Sequence, residues 1–171
     1  QVSINVAAEN LSNLDLPNFV VSTANAHSIN PNRITLEVTE SGVASDATTA
    51  MEILTRLRLN EVRLSIDDFG TGYASLDKLK DLPFSELKID RGCVQGAASN
   101  ESAMALLEFA CDLGKKLGLH IVAEGVETQT QWDLLAALGC HAIQGFFVSK
   151  PIPVDKVPEW IAQWNSQQQD I

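Results

Sequence analysis

Acidic and amide side chains stand at the carboxyl-terminal ends of the short apolar runs in this sequence. The residues in these positions are Asn5, Glu37, Asp67, Asp68, Asp90, Glu124 and Gln144. If the runs are parallel β-strands, their carboxyl ends meet on one side, where ligands bind in α/β barrels and in open α/β sheets alike. The spacing therefore predicts one polar site to which several strands each contribute a side chain.

The charge of this site indicates a bound cation, because gathered carboxylates repel one another unless they take up protons or bind cations. The acidic and amide groups expected to meet there are Asn5, Glu37, Asp67, Asp68, Glu124 and Glu127. Lys88 supplies the positive charge on these strand ends. Oxygen ligands suit hard ions, so Mg²⁺ or Mn²⁺ is indicated rather than Zn²⁺. One such residue alone is typical of a solvated strand end or a helix N-cap, but the repetition over several strands favours a metal site.

Two divalent ions held about 3.5–4 Å apart can drive in-line displacement at phosphorus. Asp67 and Asp68 are adjacent and could serve adjacent ions, so one of them is the predicted bridge. Lys88 could orient the attacking water or offset the charge that develops on phosphorus. Alternatively, Lys88 pairs with Asp90, which lies two residues further along the same strand face. Bound metals would reverse the local field of an acidic protein and so allow an anionic substrate to approach.

Short apolar runs alternate with longer helical stretches along the chain. The predicted strands are residues 2–6, 33–38, 62–66, 86–89, 119–123 and 142–147. The predicted helices are residues 17–26, 46–59, 101–117, 130–138 and 159–168, with Ser45 or Asp46 as an N-cap and Gly118 as a C-terminal stop. This alternation predicts a parallel sheet of the α/β class, as either a doubly wound open sheet or a (β/α)₈ barrel. The β-branched and Leu-rich strands are typical of a sheet buried on both faces.

The composition narrows the class of protein. The chain has 171 residues, with 22 acidic and 12 basic side chains and a net charge of −10, which suits one soluble domain. The acidic balance argues against a nucleic-acid partner, because phosphate contacts are made by Lys and Arg. We expect neither a membrane segment nor a signal peptide in this chain. Cys93, Cys111 and Cys140 form no C-x-x-C motif, which predicts small buried thiols and a cytoplasmic location.

Six short motifs resemble those of the EAL-domain family and follow the family's order. They are SIN at 3–5, LEVTE at 36–40, DDFGTGY at 67–73, LKIDR at 87–91, VAEGVET at 122–128 and QGFFVSKP at 144–151. The resemblance covers essentially the whole chain. It implies a modified TIM (β/α)₈ barrel, present here as a partial barrel of about six βα units. It also implies a phosphodiesterase that hydrolyses cyclic di-GMP to linear pGpG with two Mg²⁺ or Mn²⁺ ions.

The same resemblance implies roles by position. The ligands of one ion are expected to be Asn5, Glu37 and Asp67, and those of the second ion Asp67, Asp68 and Glu124. Catalysis is assigned to Lys88, Glu124, Asp67 and Asp68, with Lys88 similar to the family's water-positioning lysine. Residues expected to bind substrate or support the site are Gln144, Glu127, Glu40, Asp90 and Pro151. Of these, Glu40 resembles the residue that anchors the loop 69–82, which in the family contributes to a homodimer, and Pro151 resembles a residue near a guanine.

The family's Glu-Ala-Leu motif does not occur in this sequence, and with it a further metal ligand and a phosphate-binding arginine are absent. We therefore expect residues 1–171 to be part of an EAL domain whose N-terminal strands, together with fused regulatory domains, lie outside this chain. Two functions stay open. One is the phosphodiesterase, and the other is a catalytically inactive EAL-like module that binds cyclic di-GMP or a protein partner. A usable ligand stands at each position that the motifs cover, which favours the enzyme.

Overall fold

Six parallel strands form one sheet in the computed structural model, which describes residues 1–44, 46–71 and 81–168. The strands are β1 (Val2–Val6), β2 (Ile34–Thr39), β3 (Arg63–Phe69), β4 (Glu86–Ile89), β5 (His120–Glu124) and β6 (Ala142–Gln144). They lie side by side in chain order, and each neighbouring pair is parallel. A doubly wound sheet would have a crossover in its strand order. The sequential order is that of half a barrel, so the predicted partial barrel is confirmed.

The longer helices match the predicted ones. The helices are α1 (Leu16–Ala26), α2 (Glu40–Ala44), α3 (Ala47–Leu59), α4 (Arg91–Gly96), α5 (Glu101–Leu117), α6 (Gln129–Ala137) and α7 (Val157–Gln168). Asp46 is the N-cap of α3, because its Oδ1 accepts a hydrogen bond from Thr49 N at 3.2 Å. Gly118 ends α5 with a φ of +67°, as predicted. The sequence does not predict α2 and α4, which are too short to show helical periodicity.

None of the helices in the described part of the chain has the length and apolar character needed to cross a membrane.

The side of the sheet that faces the helices is apolar. Leu64, Leu87 and Ile121 lie on this side and are fully buried. Helix α5 packs closely on β5, since a Cβ atom added to Gly114 would lie 2.6 Å from the Ile121 side chain. Full burial of one Leu or Ile side chain stabilises a fold by about 1.5–3 kcal/mol, so this side supplies the core.

The opposite side of the same strands is polar. The buried polar residues in the described ranges all lie on it, and they are Thr35, Glu37, Ser65, Asp67 and Lys88. Successive strand residues point to opposite faces, and the register places Glu37 beside Ser65 and Thr39 beside Asp67. The central strands are thus buried on both faces, as predicted, but one of the two faces is built from polar side chains.

Strand β6 is shorter than predicted and ends at Gln144 instead of at residue 147. Val126 N donates to Gln144 O at 3.1 Å, and Phe147 N donates to Val126 O at 2.9 Å. Gly145 lies so close to the Val126 backbone that no Cβ would fit there. The chain therefore turns over Val126 and leaves the sheet after Gln144.

Candidate functional site

Lys88 lies at the centre of a group of charged side chains on the polar face. Its Nζ atom is 2.8 Å from Glu37 Oε2, 3.1 Å from Asp67 Oδ1 and 2.6 Å from Glu124 Oε1. The three carboxylates come from β2, β3 and β5, so four neighbouring strands contribute one charged group each. We call Glu37, Asp67, Lys88 and Glu124 the charged cluster. The acidic ends that the sequence placed on separate strands meet here at one ammonium group.

One buried ammonium group among three carboxylates shifts the pKa values in the charged cluster. Burial by itself would lower the pKa of Lys88, but hydrogen bonds to its three carboxylate neighbours outweigh burial and raise that pKa. Lys88 is therefore protonated at neutral pH. The pKa of Glu124 is raised because burial disfavours its charged form, and the attraction of Lys88 offsets only part of this effect.

Asp67 and Asp68 present their carboxylates to the same place although they are neighbours in one strand. The pairing of β3 with β4 shifts register between Ile66 and Phe69, and Asp68 has a φ of 56°, in the left-handed region. Such an irregularity interrupts the alternation of a strand. Carboxylate oxygens of Asp67, Asp68 and Glu124 consequently lie within 4.8 Å of one another.

These three carboxylates fit a hard divalent cation. Mg²⁺ and Mn²⁺ prefer oxygen donors, and three donors lie here within reach of one ion. Asp67 Oδ1 is buried, and its ion pair with the Lys88 ammonium is, at 3.1 Å, longer than the contacts of Lys88 with Glu37 and Glu124. The pKa of Asp68 is raised by burial and then by the charges of Asp67 and Asp90. Four carboxylates, those of Glu37, Asp67, Asp68 and Glu124, thus face one ammonium group, and a cation would relieve this excess of negative charge.

Asn5 and Glu37, the other two predicted ligands, are partners in the β1–β2 register. Glu37 is buried and bound to Lys88, whereas Asn5 is exposed on β1, at the edge of the described sheet. The structure therefore brings Glu37 into the charged cluster and places Asn5 beside it on the next strand.

Gln144 and Glu127 lie at the carboxyl ends of the last two strands. Gln144 is the register partner of Glu124 on β6 and is exposed. Glu127 Oε1 accepts a hydrogen bond from Gln95 Nε2 at 2.9 Å, while its own N–H donates to Gln131 Oε1 at 2.8 Å. Sequence reasoning missed Gln95 because it lies on α4, a helix without a sequence signal.

Asp90 begins α4 as its N-cap, since Asp90 Oδ1 accepts a hydrogen bond from Gly92 N at 2.8 Å. The alternative in which Lys88 pairs with Asp90 is not what the structure shows, because the ion pairs of Lys88 join it to the three carboxylates of the charged cluster. Asp90 still acts on the site through its charge, which raises the pKa of Asp68.

Pro151 lines an open cleft with Gln144 and Trp160, beyond the end of β6. Glu40 is the first residue of α2, but its side chain is outside what the structure describes. Most of the predicted dimerisation loop, residues 72–80, is likewise outside the described residues. Within the described start of this loop, Gly70 has a φ of +105° and lies over Cys93 and Leu106.

The chain is similar to known proteins along most of its length. A family model described as EAL domain matches residues 1–151. The bifunctional diguanylate cyclase/cyclic di-GMP phosphodiesterase MucR of Pseudomonas aeruginosa is 42% identical over 156 residues, which are 91% of this chain and 23% of that protein. The oxygen sensor protein DosP of Escherichia coli is 38% identical over 161 residues, 94% of this chain and 20% of that protein. The chain thus spans about a fifth to a quarter of the length of these relatives.

Solved structures match in fold as well as in sequence. A c-di-GMP complex of the PaMucR phosphodiesterase has a TM-score of 0.88 at 42% identity, over 92% of this chain and 64% of that one. A manganese/cy-diGMP complex of Klebsiella pneumoniae BlrP1 has a TM-score of 0.82 at 30% identity, over 88% of this chain and 39% of that one.

Proposed function

The chain belongs to the EAL-domain family, and from that premise we propose that it hydrolyses cyclic di-GMP to linear pGpG with the help of two Mg²⁺ or Mn²⁺ ions. The observation that carries the proposal is the approach of Asp67, Asp68 and Glu124 to within 4.8 Å, next to the Lys88 ammonium. The name of the MucR relative and the c-di-GMP complex of PaMucR support the substrate class.

Two ligand sets that share Asp67 would hold the ions. The first is Asn5, Glu37 and Asp67, and the second is Asp67, Asp68 and Glu124. When bound, the ions would make a water more acidic and stabilise the attacking and leaving oxygens at phosphorus. The manganese complex of the Klebsiella relative supports the choice of a hard divalent ion.

Lys88 would orient the attacking water and offset negative charge that develops at phosphorus. Its raised pKa keeps it protonated, so it acts as a hydrogen-bond donor and not as a general base. Three carboxylates hold its ammonium group between 2.6 and 3.1 Å. These carboxylates take up the three N–H donors of the ammonium group, so binding of ions by the carboxylate oxygens would make a donor of Lys88 available to the water and to the developing charge.

The outer residues would support the site and its substrate. Pro151 and Gln144 share the cleft beyond β6, where a guanine of the substrate would lie. Glu127 is fixed by Gln95, and Asp90 fixes the start of α4. We assign Glu40 to anchoring the loop 69–82, through which we also propose a homodimer.

Turnover of cyclic di-GMP in Mn²⁺, followed by chromatography of linear pGpG, tests the enzyme. Glu124→Gln should lower the rate at least about 100-fold, because it removes a metal ligand and a partner of Lys88. Glu52→Gln is the matched control, since Glu52 is 58% exposed on α3 and pairs only loosely with Arg56 at 3.8 Å. The control should keep the parent rate. An unmutated protein that makes no pGpG in either Mg²⁺ or Mn²⁺, or a Glu124→Gln variant at the parent rate, would contradict the proposal.

A binding module without turnover is the second candidate, and one observation favours it. Lys88 already neutralises part of the charge of three predicted ligands, so the site is partly satisfied without an ion. Calorimetric titration of cyclic di-GMP in EDTA and in Mn²⁺ separates the candidates. Binding without any product in Mn²⁺ identifies the module, whereas binding together with pGpG identifies the enzyme.

We also infer a cytoplasmic location and fused regulatory domains outside this chain. The free thiols of the three cysteines support a reducing compartment. The greater length of the relatives supports additional domains.

The proposed homodimer is tested by sedimentation of the protein at several concentrations. A dimer predicts that the measured mass doubles as the concentration rises.

A further inference from the structure

Cys111 and Cys140 are in contact although 29 residues separate them along the chain. Their Sγ atoms lie 3.6 Å apart, the distance of an S–H···S hydrogen bond. Cys111 is buried on α5, and Cys140 is half-buried between α6 and β6. The sequence predicts three equivalent buried thiols, but the structure instead separates a pair from the single buried Cys93.

The surroundings of the pair favour a reactive thiolate. The hydrogen bond between the two sulfur atoms lowers the pKa of Cys111 and raises the pKa of Cys140. The Lys115 ammonium lies beside Gly139, next to Cys140, and its charge further lowers the pKa of Cys111; at Cys140 the hydrogen bond and burial outweigh this charge. Thiolates next to a lysine are the nucleophilic form of cysteine.

Cys93 provides an internal contrast. Burial, and then the charge of Asp90, raise its pKa, so its thiol stays protonated. Among the described residues, Cys93 has no other thiol as a hydrogen-bond partner, whereas Cys111 and Cys140 face each other. The difference between Cys93 and Cys111 is contact and not burial, since Cys111 is at least as deeply buried but faces a second thiol.

We propose that Cys111 and Cys140 form a reversible disulfide site that hydrogen peroxide oxidises. One thiolate attacks the peroxide O–O bond, which breaks to give a sulfenic acid and one water after proton transfer. The second thiol then attacks the sulfenic sulfur, forms the S–S bond and releases a second water. The two cysteines lose two hydrogens, and the peroxide is reduced to water. The sulfur atoms must approach from 3.6 Å to about 2.05 Å, a movement within the reach of side-chain rotation.

The bond would join two parts of the fold that both lead to the candidate site. Cys111 shares α5 with Leu106, which packs under Gly70 at the start of the loop 69–82. Cys140 stands just before β6, the strand that ends in Gln144. Oxidation would thus fix the helix layer to the last strand of the described sheet.

Treatment of the reduced protein with hydrogen peroxide, followed by denaturation and alkylation with iodoacetamide, tests the site. Alkylation should fall from three thiols to one, the intact mass should fall by two hydrogens, and dithiothreitol should restore all three thiols. Digestion with trypsin and a Glu-specific protease locates the bond, because Glu101 and Glu108 separate Cys93 from Cys111. The expected product links Cys111 to Cys140.

Cys93→Ser is the matched variant and should still form the bond, leaving no thiol to alkylate. Cys140→Ser should form no disulfide under the same treatment, and dithiothreitol should make both remaining thiols available to alkylation. Because the unmutated protein already locates the bond, a variant that fails to fold does not weaken the test. Each of four outcomes would overturn the proposal. They are a disulfide that contains Cys93, a disulfide between two chains, oxidation of Cys140 to a sulfinic acid by two added oxygens, and three free thiols after peroxide treatment. None of these readouts depends on phosphodiesterase activity.

Discussion

Leu87 and Lys88 are consecutive residues of β4, yet they belong to opposite sides of the sheet with opposite energetics. Leu87 is fully buried on the helix-facing side, where burial of apolar area stabilises the fold. Lys88 is 3% exposed on the polar side, where three carboxylates share one ammonium group. Buried charges cost desolvation energy that pairing only partly offsets. One side of the sheet therefore supplies stability, and the other holds an arrangement that stability alone would not select.

The largest effect on stability is expected from a substitution of Lys88, at the centre of the polar side. Lys88→Met leaves three carboxylates without their cation and should lower the free energy of unfolding by about 4 kcal/mol in EDTA, as measured by urea denaturation. Mn²⁺ should recover part of this loss, because the carboxylates are then free to bind it. Lys116→Met, at an exposed position of α5, is the control and should stay close to the parent. A Lys88→Met protein as stable as the parent would show that pairing with Lys88 contributes nothing to the free energy of unfolding.

A slightly smaller loss is expected on the apolar side. Leu87→Ala removes a fully buried side chain and should lower the free energy of unfolding by about 3 kcal/mol. Mn²⁺ should recover none of it, because the lost contacts lie on the other face of the strand. Leu59→Ala, at a position that is 79% exposed, is the control and should change stability by less than about 0.5 kcal/mol. Equal recovery of the Leu87 and Lys88 variants by Mn²⁺ would remove the distinction between the two sides.

The smallest effect concerns Ser65, a fully buried residue of the polar side whose Oγ has no hydrogen-bond partner among the described residues. Ser65→Ala should leave the free energy of unfolding within about 0.5 kcal/mol of the parent or raise it, because the hydroxyl gains nothing from burial. Ser85→Ala is the matched comparison, since Ser85 Oγ donates to Leu64 O at 3.0 Å and accepts from Leu64 N at 3.3 Å. That variant should lose about 1 kcal/mol in the same denaturation measurement. A larger loss at Ser65 than at Ser85 would mean that Ser65 has a role beyond packing.

Much of the fold could be predicted because the strands and long helices carry local signals. Apolar runs, the Asp46 cap and the Gly118 stop each depend on a few neighbouring residues, and the structure has them within three residues of their predicted places. Helix α4 escaped prediction because its six residues include two glycines and show no apolar period. Gln95, which fixes Glu127, was missed for the same reason.

The residues of the site could be predicted from the sequence, but the contacts among these residues could not. The sequence places acidic residues at the strand ends, but only the register of four strands decides that Lys88 meets Glu37, Asp67 and Glu124 and not the nearby Asp90. The contact between Cys111 and Cys140 has the same origin, since it depends on how α5 packs beside the connection into β6. Contacts that depend on tertiary packing cannot be predicted from the spacing of residues along the sequence.

The positive φ of Asp68 places two separate demands on one position. Its backbone must adopt a conformation that Gly, Asn and Asp tolerate and that most other residues resist, and its side chain must carry negative charge. Asn or Gly at this position would meet the first demand and fail the second, whereas Glu would do the reverse. Aspartate is the one residue that satisfies both, so shape and charge can be altered independently at a single site in the chain.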